Sequence, residues 1–412
     1  MMLRCLTLTW LLGTFTAAPS VAQEWARFRG ANGAGQSETT TIPVEWTAKD
    51  YLWQVDLPGV GNSSPVVWDN RIYLLSADPK DGTRFVLCHS TTDGHLIWKQ
   101  DFSSKTHTIH QQNSLASSTP AVDKKHVYCA WATPEEFTLV ALSHDGRQTW
   151  RINLGTFVSR HGFGTSPIVY DDLVIITGDS DTEAFVVAVE AETGRVRWKV
   201  PRRVHDEQNA SYAAPCIYRP EHGADQLIVC SWAHGVSSFD PRTGKINWEA
   251  EVLERRPVGS PIVVGDLILA NCGEGGGNNG VVAVRPPAAP GDEALAVYRI
   301  DKTSAPYVPT LVAKDDLVFL WGDRGVVTCI DGASGKIHWR QRVGGNYSSS
   351  PVRVADHIFG VATDGEVVCL AASTEFAVLG RSSLGEPSRA TPAVAGERMF
   401  FRSDSRLVAV GK

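Results

Sequence analysis

The stretch TSPIVYDDLVIITGD, residues 165–179, decides the fold. A proline stands before a short apolar run, two aspartates make a turn, and a second apolar run follows. Proline donates no ladder hydrogen bond but can open a strand, so the phrase predicts a hairpin starting near Pro167. The phrase recurs as SSPVVWDNRIYLLSA from Ser63, STPAVDKKHVYCAWA from Ser118, GSPIVVGDLILANC from Gly259, SSPVRVADHIFGVA from Ser349 and ATPAVAGERMFFRS from Ala390. Looser copies stand at AAPCIY from Ala213 and YVPTLV from Tyr307. The key prolines are then Pro65, Pro120, Pro167, Pro215, Pro261, Pro309, Pro351 and Pro392, 41 to 55 residues apart.

A second signature follows in each unit. Glycine precedes tryptophan by four residues at Gly94 and Trp98, Gly146 and Trp150, Gly194 and Trp198, Gly244 and Trp248, and Gly335 and Trp339. Turns such as ETGRV need a positive φ that glycine adopts freely, and the strand beyond brings Trp to a fixed face. Five equivalent tryptophans suit packing between repeats better than stacking on one ligand. Unit 5 departs with Tyr298 after RPPAAPGDE, and unit 7 departs with STEFAVLG.

Four short strands in each unit of about 40–50 residues is the arithmetic of a β-propeller. The eighth unit ends at LVAVGK without its Trp-bearing strand, while YLWQVDL, residues 51–57, stands ahead of the first unit as an orphan strand with Trp53. The expected fold is therefore all-β, an eight-bladed β-propeller over residues 51–412, with the N-terminal strand closing the ring and leaving no open edge. Residues 23–50 read as an irregular arm whose WARFRGANGAG is expected to pack over an outer surface.

Composition agrees. The 412-residue chain has 13 Trp and 37 Gly against 3 Met, favouring strands and turns over a helical bundle. Its formal net charge of -6 offers no global attraction for nucleic acid. Arg4, the apolar Leu6 to Ala18 and the small residues up to Ala22 predict an export signal, residues 1–22, cleaved after Ala22. The apolar stretch is too short to span a bilayer, so a periplasmic or secreted, monomeric protein with no membrane span is expected. Seven cysteines remain after the signal, without CxxC or CxxH spacing, and read as small buried side chains. Cys216 and Cys230 flank a hairpin, but spacing alone leaves open whether they form a disulfide.

The SSPVV, DNRIY and RTGKINW phrases resemble the PQQ-like β-propeller repeat family, which includes quinoprotein dehydrogenases and BamB-like assembly factors. The arm QEWARFRGANGAG and APYVPTLVAKDDLVFLW are similar to exported planctomycete-type members. The resemblance implies two function classes. A quinoprotein oxidoreductase requires PQQ, a calcium ion held by carboxylate and amide oxygens, an Asp base and usually two adjacent cysteines. This chain has no Cys-Cys pair, so no cofactor is expected and PQQ with calcium is the alternative. The favoured reading is a non-catalytic binding or assembly scaffold for an envelope protein or polymer.

The loops before the key prolines and those at mid-unit should share one rim, since strands alternate direction across a blade. Their polar residues are the candidates for binding: His107, His110, Asn113, Arg160, His161, His205, Tyr212, His234, Arg255 with Arg256 beside it, Asn278, Tyr307, Arg324, Asn346, Tyr347 and Arg389. Arginine and histidine outnumber carboxylates, which suits an anionic or hydrogen-bonding ligand. A single HxxH at His107 and His110, with no carboxylate near, reads as loop histidines rather than a metal site. CGEGGGNNG lacks a following GK[ST] and reads as a hairpin turn, and no GxSxG marks a nucleophile. No catalytic residue is assigned.

Overall fold

The computed structural model describes residues 24–205, 209–275, 277–289 and 291–412, so the signal-peptide reading lies outside the described residues. Eight sheets of four main strands each form the blades of a β-propeller. Blade 3 is typical: Ile168–Tyr170, Leu173–Thr177, Ala184–Glu190 and Val196–Arg202 run antiparallel from the axis outwards. The second and third strands are buried along almost their whole length, because both faces press on neighbouring blades. The outermost strand alternates exposed and buried positions, with Trp198 facing inwards. A continuous apolar run therefore codes a middle strand and an alternating one codes the rim of the blade.

Blade 8 consists of Ala393–Ala395, Arg398–Arg402, Arg406–Gly411 and, outermost, Trp53–Asp56 from the other end of the chain. Gln54 lies opposite Val408, so the orphan strand closes the ring.

The recurrent tryptophans dock blade on blade. Trp150 of blade 2 lies where a Cβ on Gly194 of blade 3 would stand, 2.7 Å from the ring, and its indole N–H donates to Ala191 O at 2.9 Å. Gly194 thus meets two demands, a φ of +72° and an absent side chain. Trp53, Trp98 and Trp198 repeat the arrangement on Gly94, Gly146 and Gly244, donating to Thr91 O, His144 O and Pro241 O. Tyr298 replaces Trp in blade 5, lying on Gly335 and donating its hydroxyl to Gly332 O. Blade 7 has Gly380 opposite Cys369, and the arm runs through the space this leaves, placing the Val44 carbonyl against it. Trp46 of the arm wedges between Phe359 of blade 7 and Phe401 of blade 8, at centroid distances of 6.2 and 5.4 Å.

The arm does not lie over an outer surface as its sequence suggested. Its WARFRGANGAG part plugs the central channel. Trp25 bridges to Val67 of blade 1, and Val122 of blade 2 donates to Ala26 O. Arg27 donates to Pro215 O of blade 4 at 2.7 Å. Arg29 is fully buried and donates to Leu311 O and Pro351 O, both at 2.6 Å, and to Gly33 O and Ala34 O. Gln36–Ser37 adds a parallel strand to the innermost strand of blade 7. The innermost strands expose unpaired carbonyls to the axis, and a segment rich in arginine and amide side chains satisfies them.

One repeat assignment also shifts. The innermost strand of blade 6 is Val312–Lys314, so Leu311 occupies the place of the key proline and Pro309 lies two residues ahead of it. All seven cysteines after the signal are free and buried, and Cys216 pairs in register with Ile228 rather than with Cys230. The described residues of CGEGGGNNG lie at the end of the hairpin formed by Leu267–Glu274 and Gly277–Arg285, where Glu274 pairs with Gly277. No helix among the described residues is long and apolar enough to cross a membrane.

Candidate functional site

Each residue before a key-proline position carries a hydroxyl except Ala214, and these hydroxyls stitch the blades into a belt. The backbone N–H of Ser64 donates to Thr119 Oγ1, Thr119 to Ser166 Oγ, Ala214 to Ser260 Oγ and Ser260 to Thr310 Oγ1. Thr310 donates in turn to Ser350 Oγ, Ser350 to Thr391 Oγ1, and Thr391 back to Ser64 Oγ. All seven bonds measure 2.9–3.0 Å. The belt breaks only at Ser166, whose neighbour Ala214 has no side-chain oxygen to offer.

Above the belt lies a cup of about 280 Å³, lined by six of the belt hydroxyls and by residues from the surrounding loops. Phe28 of the arm reaches it from below, so the cup is blind. The loops before the key prolines and the mid-blade loops do share this face: Tyr347 N donates to Asp323 O, and Thr363 N to Asn346 O.

Arg256 is the most constrained cation of the cup. It is 7 % exposed, donates through Nε and Nη2 to the Tyr307 hydroxyl at 3.1 and 2.7 Å, and through Nη1 to His161 Nδ1 at 3.0 Å. Its guanidinium also stands over the rings of Tyr212 and Tyr307, 5.9 and 6.0 Å from the centroids. No carboxylate of the described residues lies within ion-pair distance of it, and no Asp or Glu lines the cup. Burial, then the Arg256 charge, lowers His161 to about 4, so at neutral pH the ring is uncharged and accepts at Nδ1. Asp323 accepts from Tyr307 N and Val308 N at 2.7 and 3.0 Å, which fixes the loop carrying Tyr307. Arg389 also lines the cup, and its buried Nε has no hydrogen-bond partner.

Of the residues singled out from sequence, His110, Asn113, His161, Tyr212, Tyr307 and Arg389 meet in the cup. His110 stacks obliquely on His161, 5.3 Å between centroids, and accepts at Nδ1 from Gln112 N. Asn113 donates to His161 O and Phe163 O and orders the long loop. Arg324 and Asn346 are exposed further out on the rim. Arg160 is exposed too, its backbone N–H held by Asp181. Arg255 turns outwards beside Glu274, as does Asn278, which donates to the same carboxylate. His107 does not line the cup; it is half-buried, and burial lowers its pKa. His205 stacks on Trp232 at 4.3 Å. His234 is buried against Glu249, and Tyr347 packs edge-on against Trp321. Sequence reading gave Arg256 only as a companion of Arg255, and missed Phe28 and the hydroxyl belt. The signal for the belt was the Ser or Thr ahead of nearly every key position.

The family profile described as outer membrane protein assembly factor BamB matches residues 47–268 and 300–411. The chain belongs to this family. The gap in the match falls on the extended hairpin and Pro-rich insert of blade 5. Among solved structures, BamB from Moraxella catarrhalis is similar at 15% identity and a TM-score of 0.60, covering 86% of this chain and 97% of its own. A quinohemoprotein alcohol dehydrogenase from Comamonas testosteroni is similar at 13% identity and a TM-score of 0.63, covering 94% of this chain and 80% of its own. A tetrathionate hydrolase from Acidithiobacillus ferrooxidans is 23% identical over 251 residues, 58% of this chain and 46% of the relative. The chain thus spans under half the length of that relative. The BamB-family architecture is shared by proteins of different activities, so these likenesses establish fold.

Proposed function

We propose that this BamB-family propeller is an exported, non-catalytic scaffold, monomeric, that binds an anionic envelope protein or polymer through its loop rim. The carrying observation is the blind cup at the rim's centre, lined by Arg256 and Arg389 and by no carboxylate. A cationic concavity on a rigid ring focuses potential towards a negatively charged group even when the net charge of the chain is -6. Two likenesses are consistent with this reading: the family profile is described as an assembly factor, and one relative is named for tetrathionate, an anion.

The donor set argues for a cofactor-free reading. A calcium-bound quinone needs carboxylate as well as amide oxygens, whereas the cup offers the amides of Asn62, Gln112 and Asn113 but no carboxylate, beside two guanidiniums. The cysteines, an adjacent pair of which usually stands against the quinone in such enzymes, are all buried and none is adjacent to another.

Two charge-neutralised variants test the reading. Arg160, Arg255 and Arg324 replaced together by Gln remove outer-rim charge, and Arg389→Gln removes a cup charge. Exposed charges contribute little stability, so circular dichroism should show the triple variant folded. Both variants should retain less dextran sulfate or acidic peptide than the parent at low salt, with the difference vanishing at high salt. Retention equal to the parent in both variants at low salt would refute the rim as the binding surface.

A further inference from the structure

The belt hydroxyls have one feature that packing alone does not use. Each of the seven accepts a backbone N–H from the preceding blade, and none donates to any described protein acceptor. A hydroxyl has one proton to give, and accepting a hydrogen bond polarises that O–H towards donation. Six of these hydroxyls face the cup, among them Ser166, Thr310, Ser350 and Thr391. The cup floor is therefore a ring of outward-directed donors beneath two guanidiniums.

Resting on the binding reading above, we propose that the cup is an oxyanion site that takes a fully deprotonated sulfate or sulfonate group, held by belt hydroxyls and by Arg256 and Arg389. The charge is one-sided, with Arg256 and Arg389 in the lining and no carboxylate. Arg256 is already oriented by Tyr307 and His161, so its charge is placed without a mobile side chain to order. Arg389 Nε is buried without a protein partner, as expected for a donor that a ligand completes. A group made only of acceptors matches the guanidiniums and the belt O–H groups, whereas a protonated phosphate brings an O–H that must compete for the few side-chain acceptors of the cup, the amide oxygens of Asn62, Gln112 and Asn113 among them. The cup volume of about 280 Å³ admits one such group with a short body against Phe28 and the tyrosine rings.

Ala214 supplies a gain-of-function test. It occupies the one belt position without a hydroxyl and lines the cup, so Ala214→Ser should accept the Ser166 N–H and add a donor. Titration calorimetry on the chain from residue 23 would use sodium sulfate against sodium chloride at equal ionic strength, pH 6. Saturable sulfate binding is expected, weaker by about tenfold or more in Arg389→Gln and tighter by about fivefold in Ala214→Ser. Hydrogen phosphate should bind less tightly than sulfate. Methyl sulfate separates the sources: binding as tight as sulfate assigns the site to an ester on a larger molecule, and weaker binding assigns it to the free ion. Sulfate binding no tighter than chloride, or unchanged in folded Arg389→Gln, would overturn the proposal. If rim variants still weaken dextran sulfate or acidic-peptide retention in that case, the scaffold reading stands and only the oxyanion assignment falls.

Discussion

Trp198 shows what a single side chain carries in this ring. Alanine in its place removes a buried indole wedge and the bond to Pro241 O, so stability should fall by about 3–5 kcal/mol in denaturant unfolding. Wild-type stability would mean that the wedge is not structural. Gly194→Ala adds a Cβ against Trp150 at a φ of +72° and should cost about 1–3 kcal/mol. His161 carries the pH dependence. Its folded pKa, about 4, is below the usual imidazole value, so its contribution to stability is complete above about pH 6.5 and is lost as pH falls towards 4. Arg256 and Arg160 face it with positive charge, His110 stacks beside it, and Asp181 opposes the arginines. An anion in the cup offsets those charges and raises the bound-state pKa, so binding takes up a proton. Sulfate affinity should rise between pH 7 and pH 5, and His161→Asn should flatten that rise. These residue-scale effects were only partly legible. The Gly-Trp spacing reports geometry directly, whereas the Arg256–His161 contact joins loops 95 residues apart and leaves no local pattern.

At the scale of elements, the hairpins and the closing strand were readable because their periodicity and their missing partner both show in one dimension. The arm was not. Its Arg27, Arg29 and Asn32 look like surface residues, yet they bond carbonyls on three blades, a partner set that exists only once the ring has closed. Burial lowers Arg29 to about 9, still charged at neutral pH, with carbonyl oxygens in place of a counter-ion. Arg29→Met should therefore cost about 2 kcal/mol or more, because buried carbonyls lose their donor. Pro309 was misplaced for a related reason: a proline two residues early mimics the motif, and only strand register shows Leu311 in the key place. Truncation to residue 45 removes the plug but keeps Trp46 and the strand Trp53–Asp56, while truncation to residue 57 also opens the ring. The longer cut should lower the melting temperature far more, and equal melting temperatures would contradict closure by that strand.

At the scale of the whole molecule, eight near-equivalent blades bring loops distant in sequence to one axis, and one end of the channel is filled by the chain itself. Seven belt bonds lock the blades around that axis, and their free hydroxyl protons give the closed channel a donor-lined floor. The rim was legible as a class of loops, since strand direction alone places them on one face. The cup was not, because the channel beneath it is closed by Phe28 of the arm, whose place shows only once the ring has formed. The most direct test is site-specific photocrosslinking in the envelope fraction of the producing cell. One probe replaces exposed Asn346 on the cup face, and another replaces exposed Lys336 in the turn between the outer strands of blade 6. Adducts from position 346 that sodium sulfate competes away are expected, and none from position 336. Adducts from position 336 alone, or adducts at 346 that persist in Arg389→Gln with added sulfate, would contradict it.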